Sequence, residues 1–131
     1  MGATELARAL LEKARHDIIA AELIIVSDEA LDTVCFHAQQ AAEKALKALL
    51  ALDDIVFPHT HDLAQLLELV RPAYPELADL ADELADMTAF AVDARYDVQV
   101  SPDRAEAQRA LAVARTVHVL AALAVHSRAD L

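Results

Sequence analysis

A single glycine, at position 2, serves all 131 residues of this chain. Left-handed turns, tight hairpins and phosphate-cradling loops draw on glycine, because only a residue without a Cβ takes positive φ freely. Beyond its second residue the chain therefore has no glycine-rich phosphate loop and no dinucleotide fingerprint, and it is poorly suited to two-residue β-hairpins. Alanine and leucine dominate instead, and both favour helix. The expected fold is all-α, with helices linked by short connections. The length fits one domain, residues 1–131, large enough to bury a core without disulfides or a structural metal. Cys35 is the one cysteine, so an internal disulfide is excluded. With no signal segment at the N-terminus, the expected location is the cytoplasm.

Charge narrows the partners. The 22 acidic residues against 11 lysines and arginines leave a formal net charge of -11. That balance opposes non-specific binding to nucleic acid or anionic lipid, while leaving room for a small basic site. The longest apolar stretches are interrupted by charge or histidine before 18 residues, so no membrane span is expected.

Apolar periodicity predicts the helices. The first covers Ala3 to Val26, with Thr4 as its cap and Leu6, Leu10, Ala14, Ile18, Ala21 and Ile25 as its inward stripe. Ser27 or Asp28 then caps a second helix from about Glu29 to Leu52. Val34, Ala38, Ala41, Ala45, Ala48 and Leu52 mark one face of it, broadened by Leu31, Cys35, Ala42, Leu46, Leu49 and Leu50. So much apolar surface predicts a central helix with several neighbours. A third runs from about Asp62 to Arg71, capped by Thr60 or His61, with Leu63, Leu66, Leu67 and Val70 inward. Pro75 opens a fourth that carries Leu77, Leu80, Leu84 and Met87 to about Val92. Ser101 and Pro102, a capping serine before a first-turn proline, start the last helix, which reaches Val125 to Ser127 with Ala107, Leu111, Ala114, His118, Ala121 and Val125 along one side. An antiparallel up-and-down bundle of four to five helices buries these stripes.

Three segments carry more than packing. They are Phe36-His37-Ala38-Gln39-Gln40-Ala41-Ala42-Glu43-Lys44-Ala45-Leu46-Lys47, then Pro58-His59-Thr60-His61-Asp62-Leu63, and Ala94-Arg95-Tyr96-Asp97. Together they resemble the HEPN domain family (higher-eukaryote and prokaryote nucleotide-binding domain), across nearly the whole chain. The resemblance implies an up-and-down bundle, homodimerisation and, in many operons, a nucleotidyltransferase partner encoded nearby. Some members of that family are ribonuclease toxins of toxin-antitoxin pairs; others are noncatalytic. The RNA-cutting members usually carry an arginine followed by a histidine after four to six intervening residues. Here two residues separate Arg115 from His118, eight separate Arg109 from His118, and seven separate Arg8 from His16. None of these fits. The expectation is a noncatalytic interaction or regulatory protein, nucleotide binding included, with a metal-independent ribonuclease as the alternative.

Candidate residues follow from chemistry. In the ribonuclease alternative His61 moves the 2'-hydroxyl proton and Arg95 stabilises phosphate charge, with Lys44 or Lys47 guiding RNA. In the noncatalytic reading Lys44, Lys47, Arg95 and Tyr96 are the candidates for ligand or phosphate contact, and Gln40, Glu43, His61 and Asp62 form a structural polar network. Glu43 and Lys47 are four apart in the favourable helical order. His118 reads as a core or dimer-face histidine, Cys35 as a small core residue, and Asp79, Asp82, Glu83 and Asp86 as a solvated face. His37 and His126 have no local constellation. Two histidines at 59 and 61 lack any metalloenzyme signature, so neither a metal nor a cofactor is expected.

Overall fold

The computed structural model describes residues 2–90 and 101–129. It is an all-α bundle of five up-and-down helices: α1 (Ala3–Ile25), α2 (Leu31–Leu52), α3 (Leu63–Val70), α4 (Ala81–Met87) and α5 (Arg104–Ala129). Short 3-10 helices at Pro75–Leu80 and Thr88–Phe90 flank α4. Val92, the expected end of the fourth helix, lies outside the described residues.

α2 is the central element, packed against α1, α5, α3 and the Thr88–Phe90 turn. The expected stripe of Val34, Ala38, Ala41, Ala45, Ala48 and Leu52 is buried, together with Cys35, Leu46, Leu49 and Leu50. Alanines dominate its contacts: Ala7, Ala14 and Ala21 of α1 and Ala107, Ala114 and Ala121 of α5 are wholly buried. A small side chain at each crossing lets helix backbones approach closely, so that the leucines beyond fill the remaining space. In α1 the expected Ala14, Ile18 and Ala21 are buried, but the first two turns are shifted by one residue from the expected stripe. Ala7 and Leu11 face inward, Leu10 is only partly buried, and Leu6 is partly exposed.

The caps also differ from expectation, each by a few residues. Gly2, not Thr4, precedes α1, and no side chain caps it. Ser27 seals the end of α1 rather than starting α2: its hydroxyl donates to the Ile24 carbonyl at 2.6 Å. Asp62 caps α3, accepting from the Ala64 and Gln65 amides, while Thr60 Oγ1 accepts from the Asp62 amide one step earlier. Asp103, not Ser101, caps α5, accepting from the Glu106 amide at 2.8 Å. Pro102 is a buried residue ahead of the helix. A carboxylate makes the stronger cap at both junctions because it also meets the positive end of the helix dipole.

Scarcity of glycine leaves two junctions in the left-handed region without one. At the end of α2, Asp54 (φ 55°) closes a Schellman turn. The Ile55 amide donates to the Leu50 carbonyl and the Asp54 amide to that of Ala51. Aspartate tolerates this conformation; alanine does so less readily, yet Ala30 sits at φ 52° just before α2.

α5 is clamped at both ends. Arg104 donates to the Ile25 carbonyl and to Asp28 Oδ1, and Arg128 to the Leu52 carbonyl and to Asp53. α5 thus runs antiparallel to α1 and parallel to α2. By length and mean composition α5 is long and apolar enough to cross a bilayer, although Arg109, Arg115, His118 and His126 interrupt its apolar stretches as expected. Its inner face is taken up by α1 and α2; its outer face is not.

Two outcomes test this packing. Ala30→Gly should stabilise the fold by about 0.5–1 kcal/mol through relief of the left-handed Cβ, net of the added freedom of the unfolded chain. A urea denaturation midpoint that falls would contradict it. Burial, aided by the charges of Glu106, Asp32 and Asp103, pushes the Cys35 thiol up to about 12. At pH 8 it stays protonated and covered, so a thiol reagent should label it only after denaturant is added.

Candidate functional site: the polar strip of α2

At 100° per residue, His37, Gln40, Lys44, Lys47, Glu43 and Gln39 occupy one continuous arc of α2. α1 borders the arc on one side and the 57–62 loop on the other, and each border contributes one partner.

On the loop side Glu43 is the hub. Only 5% of the residue is exposed, and three donors surround its carboxylate. His61 Nδ1–H donates to Oε1 at 2.7 Å, Gln39 Nε2 to Oε1 at 3.3 Å, and Lys47 Nζ to Oε2 at 3.0 Å. Gln39 also donates to the His61 backbone carbonyl at 3.0 Å, so His61 is held by ring and backbone together. A carboxylate can only accept, which puts a proton on His61 Nδ1, so that in the neutral ring Nε2 is the lone-pair nitrogen. The His61 side chain is 56% exposed, so Nε2 is open to solvent. Lys47 lies 5.6 Å above the centre of the Phe57 ring, a cation–π contact that fixes its stem.

On the α1 side Asp17 plays the same part. Its Oδ1 accepts from His37 Nδ1–H at 2.9 Å and its Oδ2 from Lys44 Nζ at 2.5 Å. Phe36 packs edge-on against the His37 ring at 5.5 Å. Gln40 extends the Glu43 half, donating to Gln39 Oε1 at 2.8 Å. Among the described residues no buried side-chain nitrogen or oxygen lacks a partner.

Set against the sequence candidates, the structure brings Glu43, Lys47 and His61 together, with Gln40 attached through Gln39. Asp62 lies next to His61, but its side chain caps α3. Lys44 turns the other way, toward Asp17. Arg95 and Tyr96 lie outside the described residues, as do Asp93 and Asp97. Sequence reasoning missed Asp17, Gln39 and His37. The signal was there: a carboxylate beside the inward Ile18 of α1, and a histidine and lysine seven apart on one face of α2. It needed the α1–α2 alignment to become visible.

Elsewhere, His118 Nε2–H donates to the Leu11 carbonyl at 3.2 Å, tying α5 to α1. Glu83 and Asp86, from the expected acidic face, line a cavity of about 370 Å³ with Asp103, Glu106 and Arg109 over Met87 and Phe90. Among the described residues no three histidine, cysteine or acidic side chains converge as metal ligands.

Comparison with known proteins gives this arrangement a context. The HEPN domain family matches residues 7–123. A solved structure, described as the crystal structure of TT1696 from Thermus thermophilus, is similar at 29% sequence identity and a TM-score of 0.76. The match covers 88% of this chain and 94% of that one. No curated protein matches the chain.

The Glu43 hub makes a direct prediction. Glu43→Ala strands Lys47 in a setting that water scarcely reaches and frees the His61 loop. It should cost about 3 kcal/mol of stability, read from denaturant midpoints. A change below about 0.5 kcal/mol, of the order expected at an ordinary surface site, would show that the network does not hold the loop.

Proposed function

The chain belongs to the HEPN domain family, and on that footing we propose that it is a noncatalytic interaction or regulatory protein, a cytoplasmic homodimer working beside a nucleotidyltransferase. The observation that carries this reading is the pairing of its two best-placed lysines. Lys44 is held by Asp17 and Lys47 by Glu43. A nuclease needs cations whose charge is free to meet the phosphate as negative charge builds on it. Lysines already matched by carboxylates have little charge to spare for a transition state, although a partly exposed one can still donate a hydrogen bond to a bound ground-state ligand. The departure from the arginine-to-histidine spacing supports the same conclusion, as does the chain's net charge of -11. The reduced, buried Cys35 suits a cytoplasmic protein.

The polar strip is the proposed contact surface, and a nucleotide phosphate is its proposed small ligand. Lys44 and His37 remain partly exposed at the α1 edge, and each retains hydrogen-bonding capacity beyond its bond to Asp17. The exposed apolar face of α5 supports self-association. The chain co-expressed with the product of its neighbouring gene should co-purify with it through size exclusion. Titration with a nucleoside triphosphate should saturate, and Lys44→Ala should weaken it roughly tenfold, the loss expected for one charge-assisted contact. No retained partner and no saturable binding would refute the reading.

One observation favours the second reading, a metal-independent ribonuclease toxin. The Glu43–His61 pair has the form of a carboxylate-oriented general base, with Nε2 exposed. Purified protein with single-stranded and structured RNA in the presence of chelator separates the two. Cleavage lost in a folded His61→Ala variant supports the nuclease; intact RNA throughout excludes it.

A further inference from the structure

The cavity of about 370 Å³ between α4 and the first turns of α5 falls in the size range of small-molecule sites. Its lining has a regular origin. On α4 and the turn that follows it, Glu83, Asp86, Met87 and Phe90 are spaced i, i+3, i+4, i+7, which sets them on one helical face. On α5, Glu106, Arg109, Ala110 and Val113 repeat that spacing. In each row the first two residues are charged and the last two are apolar. Where the rows line one cavity, a charged rim therefore surrounds an apolar floor. Met87, Ala110 and Val113 are buried and Phe90 is half-buried, whereas Asp86, Glu106 and Arg109 are exposed.

The protein does not neutralise this rim. Arg71, Arg104, Arg115 and Arg128 each meet a carboxylate. Among the described residues Arg109 meets none, although Glu106 lies one turn before it, and Glu83, Asp86 and Glu106 form no ion pair either. Asp103 lines the same cavity, but its carboxylate accepts from the Glu106 amide. Three carboxylates without a protein partner thus stand against one guanidinium around an apolar floor. Carboxylates only accept, so their ligand must bring donors, and their excess charge calls for a cation. The floor calls for an aliphatic stem, as the methylenes of lysine and arginine lie along apolar surface while their heads stay polar. A bare metal ion would make no use of the floor, and among the described residues no three ligands converge on one.

We propose that this cavity binds an aliphatic polyamine, with the methylene chain on Met87, Ala110 and Val113 and the ammonium groups at Glu83, Asp86 and Glu106. Phe90 adds an aromatic surface to which an ammonium is attracted. Arg109 carries the same sign as the ligand and opposes it, which limits affinity. The site stands apart from the polar strip of α2, since Asp17, Glu43 and His61 take no part in it. It therefore holds or fails independently of the reading above.

Isothermal titration of the full chain with spermidine at low salt tests this. Binding should saturate at one spermidine per chain. Asp86→Asn and Glu106→Gln should each weaken it roughly tenfold, the loss of one charge-assisted contact, while keeping wild-type helicity by circular dichroism. Arg109→Ala should tighten it roughly threefold, the scale of one exposed like charge. Asp79→Asn, which removes an acid outside the cavity, should leave it unchanged, and magnesium chloride at matched ionic strength should not displace the amine. The chain's overall acidity predicts a different pattern: Asp79→Asn would act as strongly as Asp86→Asn, and magnesium would compete. That pattern would overturn the site, as would the absence of saturable binding at millimolar spermidine. Binding that weakens in Arg109→Ala would overturn the ligand class, because the guanidinium would then be meeting an anionic group that a polyamine lacks.

Discussion

A carboxylate in the middle of α2, Glu43, is where three parts of the chain meet. An ionised group withdrawn from water costs several kcal/mol unless donors surround it. Here Gln39 and Lys47 come from the same helix and His61 from the loop after it. The requirement to satisfy one buried charge thus determines where residues 57–62 lie. It fixes Lys47 over Phe57 and leads the chain into α3 at Asp62. Asp17 imposes the same condition on the other edge of α2, through His37 and Lys44. The central helix is therefore held by alanine packing on its apolar side and by two buried or half-buried carboxylates on its polar side.

How much of this is legible in the sequence depends on the range of each interaction. The stripe of α2 is legible because almost every residue on that side is apolar, so a small phase error changes nothing. In the first two turns of α1 the periodicity points one residue out of phase, because Leu6 and Leu10 are more hydrophobic than Ala7, while Ala14, Ile18 and Ala21 face inward as expected. Close helix packing selects the smaller residue at the crossing. The helix junctions are legible too, but residue type points to Thr4, Ser27, Thr60 and Ser101 as caps instead of the residues that act there. Hydroxyls and carboxylates cap by the same geometry, so neighbouring candidates look alike in sequence; at Asp62 and Asp103 the local backbone position and the carboxylate's charge against the helix dipole decide.

The polar strip divides in the same way. The Glu43–Lys47 pair is local, four residues apart on one helix, and follows from helical geometry alone. The link from Glu43 to His61 spans a connection whose path the sequence does not state. The Asp17–His37–Lys44 cluster depends on how far α1 slides along α2, a quantity set by the sum of many alanine contacts. The apolar outer face of α5 is hidden for a related reason: its residues alternate with the inward stripe, and sequence does not show which apolar residues run out of neighbours.

Both functional readings proposed for this HEPN protein turn on one proton. As a structural anchor or as a general base, His61 must present Nδ1–H to Glu43 and keep Nε2 free. Long-range proton–nitrogen NMR correlation at pH 8 reports that tautomer directly. The geometry predicts a protonated Nδ1 and a pyridine-like Nε2 at His61, with the pattern lost in Glu43→Gln. A His61 ring that carries its proton on Nε2, the tautomer in which Nδ1 has no hydrogen to donate, would contradict the account at its centre.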